Sequence, residues 1–213
     1  MNFSSSYYQQ FRQNMVENQL RPAGVNHRQL IEIMRVLPRE QCVEPLYQDM
    51  AYADMSLPLG KNRVFTEPRV MARMIQLAEI KLDQKIMILG GSTGYLASVL
   101  SLLGSQVISV EEDEDLLAKG KLFCLDYALN VVWHHGSFSQ GCPQHSMYDS
   151  ILIDGAIREV PEEISEQLLV NGCIISVVNE AGRAPAVARF EKTINGLTKR
   201  YSFYADLPIL GDF

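Results

Sequence analysis

The sequence predicts an α/β fold: a mostly parallel sheet with a helical extension before it and an antiparallel hairpin at its end. From residue 85 onward, short apolar runs alternate with segments of helical pattern, as in a parallel sheet covered on both faces. The first apolar run enters a glycine-rich turn at 90–95, and Asn195-Gly196 joins the last two β-like runs in the manner of a hairpin turn. A chain of 213 residues with 47% hydrophobic content can bury one such core.

Composition and charge exclude several classes of protein. No apolar run approaches the roughly 20 residues that cross a bilayer, so we expect no membrane partner. The first ten residues lack the charged lead and apolar stretch of a signal peptide, and we expect a cytoplasmic protein. The net charge is −6: residues 1–85 hold 11 Lys and Arg against 9 Asp and Glu, and residues 86–213 hold 8 against 16. The acidic second part argues against nucleic acid as a partner.

The pattern before residue 85 is helical. Apolar residues recur at helical spacing, and the predicted helices span 6–19, 27–36 and 67–77. Asn26 is a candidate N-cap of the second helix, and Pro38 ends that helix. Residues 40–65 are predicted to be irregular because prolines and a glycine interrupt them.

The remainder of the chain supplies the sheet. The predicted strands span 85–89, 107–110, 131–134, 150–153 and 173–178, followed by a hairpin over 184–194 and 197–207. The predicted helices between the strands span 95–103, 113–129 and 161–169.

Neither cysteine nor histidine spacing predicts a metal site. The four cysteines are not within zinc-ligand spacing of one another or of a histidine pair, and we expect free thiols. His134 and His135 are adjacent on a predicted strand, so their rings point to opposite faces of the sheet. The acidic run 111–115 lacks calcium-loop spacing and suits a helix start.

The glycine-rich turn and the acidic residue after the second strand form a generic nucleoside-cofactor arrangement. Small residues at 90–94 let a ligand approach the backbone, and a carboxylate at Glu111 can accept hydrogen bonds from both ribose hydroxyls. The alternative is that the glycines serve tight packing of strand against helix. The spacing is neither a dinucleotide fingerprint nor a P-loop. It fits the turn of S-adenosylmethionine enzymes, with Ser92 in place of the middle glycine.

Several segments, in order and spacing, resemble the protein-L-isoaspartate (D-aspartate) O-methyltransferase family over nearly the whole chain. They span residues 15–20, 36–40, 51–54, 57–60, 67–74, 94–95, 148–153, 160–161 and 167–172. The resemblance implies a three-layer, Rossmann-like methyltransferase sheet over 86–213, with residues 1–85 as a substrate-facing extension packed on it in one compact unit. It also implies S-adenosyl-L-methionine as cofactor. The implied partners are damaged proteins or peptides with isoaspartyl or D-aspartyl residues, whose carboxylates would be methylated for repair.

The same resemblance implies roles for particular residues. Thr66 takes the place of a serine that helps to position the substrate carboxylate, and is the candidate catalytic residue. The candidate substrate-binding residues are Leu59, Arg63, Val64 and Phe65. The candidate cofactor-binding residues are Gly90, Gly91, Ser92, Thr93, Gly94, Tyr95, Glu111, Glu112 and Ser137.

The sequence departs from the family pattern at four places. Ile88 replaces an acidic residue near the cofactor's methionine end, and Ser137 replaces an aspartate near the adenine. Ser92 is strained by about 1 kcal/mol if its φ is positive. The substrate segment 63–66 differs at three of its four positions. The loss of two carboxylates predicts weaker cofactor binding, since each charge-assisted hydrogen bond is worth about 1.5–3 kcal/mol.

These departures leave alternatives to isoaspartyl repair. One is an adenosyl-cofactor-binding module without methyl transfer, and another is methylation of a different substrate. Arg63 either pairs with a substrate carboxylate or is a solvated loop charge. Asp154, after the fourth strand, is either a ligand-binding group at the sheet edge or an ordinary loop carboxylate.

Overall fold

A computed structural model describes residues 3–128 and 130–213. Its α-helices are α1 (Phe3–Met15), α2 (Arg28–Val36), α3 (Pro68–Leu77), α4 (Tyr95–Leu102), α5 (Glu114–Tyr127) and α6 (Glu162–Glu166). Its strands are β1 (Leu57–Gly60), β2 (Arg63–Phe65), β3 (Lys85–Leu89), β4 (Gln106–Glu111), β5 (Val131–His135), β6 (Tyr148–Ile157), β7 (Leu168–Val178), β8 (Ala186–Thr193) and β9 (Gly196–Tyr204).

The main sheet has seven strands in the order β5-β4-β3-β6-β7-β8-β9. The first five of these strands pair in parallel, and β8 and β9 add antiparallel to the edge. Thr193 pairs with Gly196 across the Asn195-Gly196 turn. The predicted α/β class, its parallel sheet and its closing hairpin are therefore confirmed.

The cap of α2 differs from the prediction. The side chain of His27, not Asn26, caps this helix, because His27 Nδ1 accepts a hydrogen bond from the Leu30 N–H at 3.2 Å. The Asn26 N–H instead donates to the Gln76 side chain on α3 at 2.8 Å. The first helix starts earlier than predicted, at Phe3, and continues as a π-helical turn over Val16–Leu20.

The prediction that residues 40–65 are irregular was wrong in part. This stretch contains two 3₁₀ turns, Arg39–Cys42 and Pro45–Met50, and the antiparallel hairpin of β1 and β2. Strands of four and three residues are too short to show an alternating pattern in the sequence. This hairpin contains Arg63, Val64 and Phe65, which are predicted to bind substrate.

The prediction of a helix over 161–169 was also wrong at its end. The helix α6 stops at Glu166, and Leu168 already begins β7. An apolar pair at the junction fits a helix and a strand equally well. The predicted helix over 113–129 corresponds to α5, and its last predicted position, 129, lies outside the described residues.

One buried cluster joins the N-terminal helices to the sheet. Leu30 and Met34 of α2 and Ile75 of α3 belong to the same apolar cluster as Ile86 and Ile88 of β3. On this face of the sheet α3 packs against β7, α2 packs against α4, and α1 packs against α2. Over the described ranges, no helix is both long and apolar enough to cross a membrane.

Candidate active site at the carboxyl edge of the sheet

The turn between β3 and α4 adopts an unusual backbone. Gly90 has φ +85°, Ser92 has φ +37° and Gly94 has φ +80°. The condition under which Ser92 is strained is therefore met, since a side chain at positive φ costs about 1 kcal/mol. Residues at positive φ in three alternate positions turn the chain sharply from the strand end into the helix.

The glycines of this turn have different tasks. A Cβ on Gly91 would lie 1.8 Å from Ser109 Oγ, and one on Gly94 would lie 2.6 Å from the Gly120 carbonyl oxygen. These two glycines are required by packing against β4 and α5. At Gly90, a Cβ would instead lie 3.1 Å from Arg63 Nη2. The packing explanation therefore holds at Gly91 and Gly94, and approach of a ligand to the backbone at Gly90 stays a prediction.

Glu111 ends β4 with its carboxylate fully buried at the edge of the sheet. Its Oε2 accepts from the Ser92 N–H at 2.8 Å, and its Oε1 accepts from the N–H groups of Glu112 and Asp113, both at 3.1 Å. Backbone donors thus fix the carboxylate next to the glycine-rich turn, where the nucleoside-cofactor arrangement places it.

Arg63 on β2 reaches across to this carboxylate. Its Nη1 donates to Glu111 Oε1 at 2.7 Å and its Nη2 donates to Oε2 at 3.1 Å. The guanidinium also lies 5.2 Å from the centre of the Phe138 ring. The Arg63 side chain is only 10% exposed, so its interpretation as a solvated loop charge was wrong. Its pairing with a substrate carboxylate remains a prediction.

Thr66 and Asp154 form a second buried contact at the same edge. The Thr66 hydroxyl donates to Asp154 Oδ1 at 2.5 Å, and both residues are buried. Burial raises the pKa of Asp154, while the Thr66 hydrogen bond and the charges of Arg63 and Arg39 act against that rise. The alternative of an ordinary loop carboxylate was therefore wrong for Asp154.

Arg39 is a positioning residue that sequence reasoning did not single out. Its buried guanidinium donates to the carbonyl oxygens of Thr66 at 2.8 Å and Ala51 at 3.0 Å. It stacks 4.0 Å from the Phe65 ring centre and 4.7 Å from that of Tyr95. Phe65 and Tyr95, predicted to bind substrate and cofactor, thus pack around Arg39 and hold the substrate segment. The available signal was the position of Arg39 within the family-like segment 36–40.

The other candidate residues are divided between two places. Leu59 and Thr93 line a separate cavity of about 310 Å³ with Cys42 and Phe123. Val64 lines a small cavity beside Arg63 and Asp154.

Two further candidates lie near the end of β5. Glu112 Oε1 accepts from the Phe138 N–H at 2.8 Å, and Ser137 Oγ is 2.9 Å from Ser139 Oγ. Ile88 is fully buried within the sheet, and its aliphatic side chain offers the cofactor no polar group.

The C-terminal segment closes the site from the other side. The Ala156 N–H donates to the Pro208 carbonyl at 2.8 Å, and the Leu210 N–H donates to the Ala156 carbonyl at 2.9 Å. Leu210 thereby lies over Gly90 and Gly155. The cavity left between Arg63, Asp154 and Leu210 is about 10 Å³. No pattern in the sequence predicts this segment, which pairs with β6 through an isolated bridge between Ile209 and Ala156.

The residues fit an adenosyl cofactor in chemistry. The Arg63 side chain occupies space beside Glu111 and Gly90. A buried carboxylate at the end of the second parallel strand, beside a glycine-rich turn, suits ribose hydroxyls. A cavity of about 10 Å³ holds no more than a water molecule, whereas ligand pockets measure about 300–1,000 Å³. In the structure both oxygens of the Glu111 carboxylate are paired with Arg63.

The fold and this edge together define a class: Rossmann-like α/β proteins with the nucleoside-cofactor arrangement of methyltransferases. The family model "Protein-L-isoaspartate(D-aspartate) O-methyltransferase" matches residues 10–204. The chain belongs to this family.

Relatives and solved structures agree with this assignment. A protein-L-isoaspartate O-methyltransferase of Gloeobacter violaceus is 32% identical over 191 residues, which cover 89% of this chain and 93% of the relative. A second relative, from an Anaeromyxobacter species, is 30% identical over 87% of this chain and 76% of its own length. A solved protein-L-isoaspartate O-methyltransferase superposes with a TM-score of 0.82 at 25% identity, covering 94% of this chain and 66% of its own.

A Plasmodium falciparum structure of the same family description, in complex with S-adenosyl-L-homocysteine, shares the fold. Its TM-score is 0.79 at 20% identity, and the match covers 94% of this chain and 98% of that one.

Proposed function

We propose that this protein is an S-adenosylmethionine-dependent carboxyl methyltransferase that methylates isoaspartyl and D-aspartyl residues of damaged proteins. The family match over residues 10–204 carries this proposal. It is supported by the 32% identical relative, which bears the name protein-L-isoaspartate O-methyltransferase and is covered over 93% of its length. The carboxyl edge of the sheet supports the proposal further, because Glu111 and Thr66 lie there. Glu111 pairs with Arg63, and Thr66 donates to Asp154.

The chemistry asks mainly for positioning. When bound, the cofactor supplies a methyl group activated by the sulfonium. Glu111 and the glycine-rich turn would hold the cofactor, whose sulfur–carbon bond would break with its electrons staying on sulfur as the substrate carboxylate oxygen takes the methyl group. The protein therefore has to orient an ionised carboxylate in line with that bond, which supplies much of the rate.

Thr66 is the candidate group that orients the substrate carboxylate. Its hydroxyl has one hydrogen, and in the structure that hydrogen is directed to Asp154 at 2.5 Å. When Asp154 is protonated, its O–H can donate a hydrogen bond to Thr66 Oγ1, and the Thr66 hydroxyl hydrogen is then free to bond the substrate. The burial that raises the pKa of Asp154 favours this protonated form.

The direct test is methyl transfer from radiolabelled S-adenosylmethionine to a peptide with one isoaspartyl residue. The control peptide has the same sequence with a normal aspartyl residue. We expect base-labile methyl ester on the isoaspartyl peptide alone. If no base-labile ester forms on it, the proposed repair activity is wrong.

A second candidate function is binding of the adenosyl cofactor without repair activity, or with methylation of another substrate. Two observations favour it: Arg63 lies on Glu111, and Ile88 offers no polar group. Binding of S-adenosylhomocysteine by a protein that leaves the isoaspartyl peptide unmethylated would identify this case.

We also propose that the enzyme works in the cytoplasm, with residues 1–85 facing the protein substrate and residues 86–213 holding the cofactor. The four cysteine thiols are free and buried, which suits a reducing compartment. The slightly basic balance of residues 1–85 suits substrates that bear carboxylates.

A further inference from the structure

The carboxylate expected to bind the cofactor ribose already has a full set of partners. Glu111 accepts hydrogen bonds from three backbone N–H groups and from both terminal nitrogens of Arg63. A carboxylate offers about four acceptor positions, so five donors leave none for two ribose hydroxyls. A ligand at Glu111 must replace a donor that is already there.

Arg63 is the donor that can leave. The three N–H groups belong to the backbone of Ser92, Glu112 and Asp113, in the turn after β3 and at the entrance of α5, and they cannot withdraw without unfolding those turns. Arg63 is a long side chain on a two-stranded hairpin that is outside the main sheet. The hairpin turns through Gly60, Lys61 and Asn62, all at positive φ.

The Arg63 guanidinium also occupies the space that the ligand needs. Its Nη2 lies 3.1 Å from the position of a Cβ on Gly90, the glycine of the turn that faces Arg63, Leu210 and Asp154. Phe138 lies beside the same guanidinium, and Leu210 Cδ1 also lies 3.1 Å from that Cβ position. Arg63 therefore competes with a ligand both for the carboxylate and for volume.

We propose that Arg63 is an intramolecular competitor of the adenosyl cofactor: its guanidinium must release Glu111 before the cofactor binds, and it thereby sets the cofactor affinity. This inference rests on the proposed function, because it takes Glu111 as the ribose-binding group. It adds a residue that weakens binding, where a family site residue would strengthen it. The apparent affinity equals the affinity of the open form multiplied by the fraction of molecules in which Arg63 has left Glu111.

The test is calorimetric titration of the full-length protein with S-adenosylhomocysteine. We compare wild type with Arg63→Gln, which is neutral and shorter, and with Arg63→Lys, which keeps the charge but cannot make a bidentate pair. The matched control is Lys61→Gln. Lys61 lies on the same hairpin and pairs at 2.5 Å with Asp113, next to Glu111, so this variant loses the same charge nearby.

We expect Arg63→Gln to bind S-adenosylhomocysteine roughly ten- to hundredfold more tightly than wild type, the value of one charge-assisted hydrogen bond to Glu111. Arg63→Lys should lie between the two, and Lys61→Gln should match wild type. A merely structural role of Arg63 predicts the opposite sign, because loss of a supporting contact loosens a site.

Equal or weaker binding by Arg63→Gln than by wild type overturns the inference. The proposed function still stands in that case if the wild-type protein methylates an isoaspartyl peptide. If Arg63→Gln does not fold, the comparison of Arg63→Lys with wild type decides in the same way. Absence of binding by every form at millimolar S-adenosylhomocysteine overturns both the inference and the proposed cofactor.

Discussion

Two buried arginine–glutamate pairs in this molecule have the same chemistry and different surroundings. Arg12 on α1 pairs with Glu40 at 3.1 Å in the N-terminal extension, and Arg63 pairs with Glu111 at 2.7 Å at the sheet edge. All four side chains are at most 10% exposed. Each pair therefore replaces water by a partner of opposite charge.

The two pairs differ in what surrounds the carboxylate. Tyr52 joins the first pair: Arg12 donates to its hydroxyl at 3.2 Å, and that hydroxyl donates to Glu40. The carboxylate of Glu40 thus has side-chain partners from other parts of the extension. Glu111 instead has three backbone donors of its own, independent of Arg63.

This difference separates a pair that only stabilises the fold from one linked to a ligand. Without Arg12, Glu40 is a buried charge that keeps only the Tyr52 hydroxyl among these contacts. Without Arg63, Glu111 keeps its three backbone donors and has an acceptor position free for a ribose hydroxyl. We therefore expect loss of Arg63 to strengthen ligand binding at Glu111, and loss of Arg12 to lower stability without strengthening ligand binding.

The largest effect is expected at the first pair. Arg12→Gln should lower the free energy of unfolding by about 3–5 kcal/mol, the usual result of removing one partner of a buried ion pair. Urea unfolding measures this change. Arg21→Gln is the control, because the Arg21–Glu17 pair is half exposed and is worth about 0–1 kcal/mol. A similar loss in both variants would contradict the structural role of the Arg12 pair.

A smaller effect is expected at Thr66, beside the second pair. Thr66→Val removes the hydroxyl with little change in volume. The rate of methyl transfer to an isoaspartyl peptide should fall roughly ten- to hundredfold, as for one hydrogen bond to a charged group. Thr66→Ser should retain most of the rate, and an unchanged rate in Thr66→Val would show that the hydroxyl does not position the substrate.

Asp154 gives the second region a pH dependence. Its folded pKa is raised by burial above the unfolded value of about 3.9, so folding takes up a proton between the two values. This group's contribution to stability is full below the unfolded pKa and is lost as pH rises through the folded one. Asp154→Asn keeps an acceptor for Thr66 and removes the titration.

The difference in unfolding free energy, Asp154→Asn minus wild type, should therefore increase as pH rises from about 4. Each tenfold difference between the folded and unfolded acid constants adds about 1.4 kcal/mol to it. Unfolding curves between pH 3.5 and 7.5 measure the trend. A difference that is constant or falls with pH would mean that burial does not raise the pKa of Asp154.

The fold and half of the site follow from local patterns. Continuous or alternating apolar runs predicted β3 to β9, and the position of Glu111 after the second parallel strand predicted a carboxylate beside the glycine-rich turn. Such features depend on residues close in sequence. The hairpin of β1 and β2 was missed because its strands have four and three residues.

The contacts that close the site join residues far apart in the chain. Arg63 and Glu111 are 48 positions apart, and Thr66 and Asp154 are 88 apart. A single sequence has no pattern that pairs such residues, and Arg63 reads equally as a surface charge. The segment at Leu210 is joined to Ala156 by two backbone hydrogen bonds, which any residue type can form through its carbonyl group or, except for proline, its N–H group.

The most direct test of the ligand-linked pair compares thermal unfolding of wild type, Arg12→Gln and Arg63→Gln with and without one saturating concentration of S-adenosylhomocysteine. A ligand that binds only the folded state raises the midpoint by an amount that grows with the logarithm of its affinity. We predict a ligand-induced rise about 3–10 °C larger in Arg63→Gln than in wild type, and a rise in Arg12→Gln equal to that of wild type. Equal rises in all three proteins, or a smaller one in Arg63→Gln, would contradict the account.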